Sequence, residues 1–140
     1  MKISVLDASH YFRGLLLLIR KDRQVTDPEI DLMKNVGKAL GFDADFCETA
    51  IAEILDNAYI SDSPPVFSSI DLAAKFMRDG LALSFIDHEE IDPREELWLK
   101  QTCEQNRLGD DFFVREKDVA RAHRGGELRL EAADLVVEYH

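Results

Sequence analysis

Cysteine, tryptophan and proline are scarce in this chain, and its basic residues are well outnumbered by acidic ones. Cys47 and Cys103 are the whole thiol complement, so a disulfide-stapled scaffold is excluded and a reducing, cytoplasmic setting is expected. The formal charge of -11 opposes nucleic acid or an anionic membrane surface as partner, because both need basic patches. The same acidity suits solubility, and it would attract a cation or a basic protein. Long apolar runs are also missing. The longest near the start is Leu15–Ile19, far short of the ~20 residues that a membrane-spanning helix needs. No basic start or small-residue cleavage site marks a secretion signal.

The recognisable catalytic motifs are absent too. There is no phosphate loop, dinucleotide fingerprint or CxxC pair. Ser9-His10 and Ser84-Asp87-His88 supply nucleophile and base types, but no strand–elbow or oxyanion-hole sequence accompanies them. Cys47 and Cys103 fall on predicted helices, where a thiol serves as a small hydrophobe.

What the sequence does contain is helical periodicity, punctuated by caps. "MKISVL" alternates apolar and polar, as a short strand or extended arm would. Ser9 to Lys21 reads as a helix that is apolar nearly all round from Tyr11 to Ile19, the signature of a central bundle element. "TDPE" follows, with Thr26 as cap and Glu29 placed to complete a capping box. A second helix then runs to about Leu40, with Ile30, Met33, Val36 and Leu40 at helical spacing and Gly41 as its stop. Asp43 or Asp45 starts a third, with Phe46, Ala50, Ile54 and Leu55 inward. Pro64-Pro65 ends that region and marks the only convincing linker.

Ser68 or Ser69 caps a fourth helix whose stripe is Ile70, Ala73, Met77, Leu81 and Phe85, widened by Phe76, Leu83 and Ile86. Asp92, Pro93 and Glu95 open a fifth, again with cap, favoured first-turn proline and box glutamate. It presents Trp98, Leu99 and Thr102 inward. A sixth spans Asp111 to about His123. The tail "ELRLEAADLVVEY" is ambiguous between helix and strand, and its pattern leans to helix.

The two halves follow one plan. Shifting the chain by 66 positions sets "GLLLLIRKDRQVTDPEIDLMK" over "GLALSFIDHEEIDPREELWLK". Gly14/Gly80, Leu15/Leu81, Leu17/Leu83, Glu29/Glu95 and Lys34/Lys100 are identical, and the caps Thr26/Asp92 coincide. Amphipathic helices can match through periodicity alone, but shared caps and joint lengths argue for a duplicated unit. The organisation expected is one all-α domain over residues 1–140, with repeat units at about 9–60 and 66–116 and a tail at 117–140. It would be a pseudo-symmetric bundle of about six to seven helices with the two apolar helices central.

This pattern resembles the TerB-like (tellurite-resistance TerB) domain family, small all-helical proteins built on a duplicated unit. There a buried helix enters an Asp-Gly-x-(Val/Ile)-(Ser/Thr/Asp)-x-x-Glu joint. Asp22-Arg23-Gln24-Val25-Thr26-Asp27-Pro28-Glu29 matches it except for the glycine. His88-Glu89-Glu90-Ile91-Asp92-Pro93-Arg94-Glu95 has His in the Asp place and Glu in the Gly place. The resemblance spans roughly Ser9 to Arg115. It implies a helical bundle, an acidic site for a divalent metal, and a role in stress response or as an interaction module.

The joint "FIDHEEIDPREELWLK" carries the densest chemistry. A calcium loop starting at Asp87 would need Gly at its sixth position and Glu at its twelfth; Asp92 and Trp98 stand there, so that loop is excluded. Asp87, His88, Glu89, Glu90, Asp92 and Glu95 do offer one imidazole and several carboxylates, donor types that suit zinc, manganese or iron. The competing reading is a solvated acidic joint, with Glu95 spent on its box and the acids favoured by the helix dipole. If a pseudo-twofold brings the joints together, the expected metal set is Asp22 and Glu29 with Asp87, His88 and Glu95. No catalytic residue is assigned. The leading expectation is a non-enzymatic TerB-like module that binds a divalent cation. The alternatives are a protein–protein adaptor or homo-oligomer using the apolar tail, and a metal-dependent hydrolase.

Overall fold

Six α-helices and a two-stranded parallel sheet make up the computed structural model. It describes every residue except Arg23, Gln24, Ala58, Asp87, Glu127, Leu128 and His140, and it leaves the side chain of Asp22 undescribed. The protein is an all-α bundle. After β1 (Lys2–Ser4), the helices are α1 (Val5–Ile19), α2 (Asp27–Ala39), α3 (Ala44–Asp56), α4 (Ile70–Ser84), α5 (Pro93–Gln105) and α6 (Asp110–Ala122). A 3₁₀ turn at Glu131–Asp134 leads into β2 (Val136–Glu138). Among the described residues, no helix is long and apolar enough to cross a membrane.

The helix starts are written locally. Thr26 accepts from the Glu29 amide while the Glu29 carboxylate takes the Thr26 amide at 2.9 Å, so the capping box is complete. Asp43 caps α3 and Ser69 caps α4. Asp92 caps α5 through the amide of Arg94, one residue short of Glu95. Instead of reaching back to close a second box, the Glu95 carboxylate is turned toward Ser84 Oγ, 3.5 Å away. Helix α1 begins earlier than the Ser9 expected, because Ser4 Oγ accepts from the Asp7 amide and starts the helix there.

Two central helices organise the core. Helix α1 is buried on nearly every side, as its apolar circumference requires, and α4 packs against it. The paired glycines are the contact points. A Cβ added at Gly14 would stand 2.8 Å from the Phe76 ring, and one at Gly80 would stand 3.3 Å from Leu18. Glycine at both places lets the two helices approach closely. Tyr11, Phe67, Phe76 and Trp98 fill the space beside that crossing, with ring centroids 5.1–6.3 Å apart. Such aromatic pairs contribute about 0.5–1.5 kcal/mol each beyond their burial.

The linker between the halves is bound down. Asn106 donates to the Pro65 carbonyl at 2.8 Å and accepts from the Phe67 amide at 2.9 Å. Trp98 Nε1 donates to the Asp62 carbonyl at 2.7 Å. Asp7 accepts from both the amide and the hydroxyl of Ser68, and Arg20 and Lys21 pair with Asp62.

Three further expectations need correction. On α3 the inward stripe is Cys47, Ile51 and Ile54, while Phe46 and Leu55 are exposed. Phe46 instead joins Phe42 and Phe12 in edge contacts 5.6 Å apart on the flank of the bundle. Ile70, the first residue of α4, also faces out. The tail is not a helix but a 3₁₀ turn followed by a strand, with Lys2 opposite Val136, Ile3 opposite Val137 and Ser4 opposite Glu138. Parallel pairing with β1 supplies backbone partners that a local reading of the tail could not see.

Candidate functional site: helix joints, a buried latch and two grooves

The first joint places Glu29 in the interior, only 1% exposed, with its carboxylate on the Thr26 amide and hydroxyl. At the second joint Glu95 is 0% exposed, beside the Ser84 hydroxyl, which itself donates to the Gly80 carbonyl at 3.0 Å. His88 is half-buried. Asp92 stays at the surface, where hydrogen bonds from Arg94 hold its carboxyl below the usual carboxylate range. Glu90 pairs with Arg121 on α6 at 2.9 Å. Of the five expected metal ligands, Asp87 and the side chain of Asp22 lie outside the described residues. Among the described residues, no three His, Cys, Asp or Glu side chains are placed to hold a metal ion.

The thiols fit their structural role. Burial pushes Cys47 upward and Cys103 up to about 12, with Asp110 adding to the second. Thiolate is the nucleophilic form, so neither cysteine is activated.

A site that sequence reasoning missed lies within α4, at Asp79. Asp79 is buried, and its carboxylate accepts from Tyr11 Oη at 2.6 Å, the Glu131 amide at 2.7 Å and the Ala132 amide at 3.0 Å. Burial raises its carboxyl to about 6, against the opposing pull of these three donors. Burial and the neighbouring Asp79 also drive the Tyr11 phenol well above its ordinary value. The pair latches the C-terminal segment onto α1 and α4. A signal was available: Asp79 follows Phe76 by three residues, a core-facing position on an amphipathic helix.

Two open grooves flank the bundle. One, about 390 Å³, runs between α4 and α6 over Ala82, Phe85, Ile86 and Val119, with Arg78, Arg124 and Arg129 at its edge. The other, about 400 Å³, runs between α1 and α3 over Phe12, Leu16, Phe46 and Ile54. They occupy corresponding places. Phe12, Leu16, Ala50, Ile54 and Asn57 line one, and the residues 66 positions further on, Arg78, Ala82, Glu116, Ala120 and His123, line the other. The helix lengths also repeat, as 15, 13 and 13 residues and again 15, 13 and 13.

Comparison with known proteins adds nothing to these observations: no family model, curated protein or solved structure matches the chain.

Proposed function

We propose that this chain is a non-enzymatic, cytoplasmic binding module of TerB-like plan whose helix joints take a divalent cation. The observation that carries the reading is the placement of Glu29 and Glu95, one at each joint and both sealed from solvent. Moving a carboxylate into the interior costs several kcal/mol, recovered only through hydrogen bonds or positive charge. Glu29 has the Thr26 amide and hydroxyl and Glu95 has Ser84 as partners, and a cation at the joint would add positive charge to both. The repeated helix lengths and corresponding grooves support a duplicated unit, and a role in stress response follows from the resemblance.

The test is a thermal-shift titration of metal-stripped protein with calcium, magnesium, manganese and zinc, run beside His88→Ala and Glu95→Gln. A metal at a hundred times its dissociation constant adds about 2.7 kcal/mol to stability. One metal should raise the melting temperature of the wild type and fail with Glu95→Gln. If no metal shifts the wild type, the cation reading is wrong.

A second reading, an adaptor or homo-oligomer, is favoured by exposed Phe46, Leu55 and Tyr59 on and beyond α3. Of the tail first expected to carry it, Val136 and Tyr139 are exposed. Ala132 and Leu135 are buried in the chain's own core, while Leu128 lies outside the described residues. Sedimentation of wild type against Phe46→Ser distinguishes this reading, since only self-association through α3 would be weakened by the change.

A further inference from the structure

The groove between α4 and α6 combines an apolar floor with a strongly basic edge. Its floor is apolar, from Ala82 on α4, Phe85 and Ile86 just after it, and Val119 and Ala120 on α6. Its edge carries three arginines in a chain whose formal charge is -11. Two glutamates also line it, but both are already engaged. Glu131 takes Lys75 at 3.0 Å, and Glu116 takes Arg78 at 3.5 Å. Arg124 donates one guanidinium N–H to the Arg121 carbonyl at 2.9 Å, a contact that steadies the head without neutralising it. Neither Arg124 nor Arg129 is ion-paired with a carboxylate among the described residues. His123 Nδ1 donates to the Val119 carbonyl at 2.8 Å, which fixes its ring and leaves Nε2 for another partner.

The corresponding groove between α1 and α3 is more aromatic and, among the described residues, carries a single arginine, Arg13. Phe12 stands where Arg78 stands, and the rings of Phe42 and Phe46 take part in its lining. Three arginines line the α4–α6 groove, against Arg13 alone at the other.

We propose that the α4–α6 groove binds a small amphiphilic monoanion: an alkyl chain lies on the Phe85–Val119 floor and its carboxylate meets Arg124 and Arg129. The volume, about 390 Å³, lies at the lower end of the range for small-molecule sites. Guanidinium groups match a carboxylate through paired N–H donors, which an alcohol of the same chain length does not exploit. The overall negative charge does not forbid this. At physiological salt, charges beyond about 8 Å are screened, so the arginines in contact decide the local sign. Among the described residues no joint acid lines the groove, and the test needs no metal.

The experiment is calorimetry and amide-resonance mapping with decanoate below its micellar concentration. Acetate, 1-decanol and neutral and anionic vesicles serve as the other probes. Decanoate should bind and shift resonances from Ala82–Ile86 and Val119–Arg124. Decanol should bind at least tenfold more weakly, and acetate should show no measurable binding. The double variant Arg124→Ala/Arg129→Ala should weaken decanoate at least tenfold, with an unchanged circular dichroism spectrum. Val119→Glu, a change at an exposed floor position, should abolish binding while the chain stays folded. Equal binding of decanol and decanoate would overturn the proposal, as would wild-type affinity in the arginine variant. So would capture by vesicles with no binding of the free acid.

Discussion

Replacing Asp79 by alanine removes one carboxylate and strands three donors. The Tyr11 hydroxyl and the amides of Glu131 and Ala132 all end on that side chain, in a pocket where Asp79 is 2% exposed. Each buried donor left unsatisfied costs about 1–3 kcal/mol. The tail can lift and let water reach the two amides, which recovers part of that cost but forfeits the burial of Ala132 and Leu135. The expected loss for Asp79→Ala is therefore about 3–5 kcal/mol, a large share of the 5–15 kcal/mol that holds a domain together. Asp79→Asn should also destabilise, since its –NH₂ group would face an N–H donor. Urea melts give the magnitude, and hydrogen exchange at Ala132 and Val136 should accelerate before exchange in α1 does.

The pH dependence tests the same reasoning with its sign fixed. The Asp79 carboxyl sits at about 6 in the fold, against 3.8 ordinarily. Between those values the folded chain binds the proton more tightly than the unfolded one. The contribution is thus fully present below about pH 4 and lost as pH rises through 6. At 1.36 kcal/mol per pH unit it amounts to about 3 kcal/mol. Stability of the wild type relative to Asp79→Asn should rise by about that amount from pH 7 to pH 4. Parallel pH profiles, or a change under about 0.5 kcal/mol in Asp79→Ala, would refute the latch.

Other substitutions probe the frame. Gly14→Ala presses a methyl against the Phe76 ring and Pro65, and should cost about 1–3 kcal/mol by thermal melting. Gly80→Ala meets only the ends of Leu99 and Leu18 and should cost less; the reverse order would contradict the packing described for α1 and α4. Thr26→Ala breaks the capping box of α2 and should lose about 1 kcal/mol, read from urea midpoints. Deleting residues 126–140 should lower the melting temperature by more than 10 °C, because both partners of Asp79 from the tail disappear with β2. A truncated chain that melts like the full one would show the tail to be dispensable.

The resemblance between the halves is visible as letters, and the matched residues have definite places in the structure. Gly14 and Gly80 stand where the central helices approach, and Glu29 and Glu95 are both withdrawn from water. Thr26, Asp43, Ser69 and Asp92 could be recognised as caps because a cap acts on amides two or three residues away. The apolar circumference of α1 announced a central helix for a similarly local reason: every neighbour on its surface lies within four residues in sequence.

Nothing within a few residues of Val136 could reveal that its backbone partners are at the far end of the chain. The strand exists because β1 offers an unpaired edge, and the helical lean of the tail loses to that distant pairing. The phase of α3 was settled in the same way, since Gly37 on α2 receives Cys47 and leaves Phe46 to the flank. Asp79 looked like one more acid in an acidic chain until three donors from remote segments converged on it. The arginine-edged groove likewise brings together residues from α4, α6 and the segment after it. Caps and helical stripes are local interactions and can be read in order along the chain. Latches, edges and grooves arise from contacts between segments far apart in sequence, so they come into being only when the bundle closes.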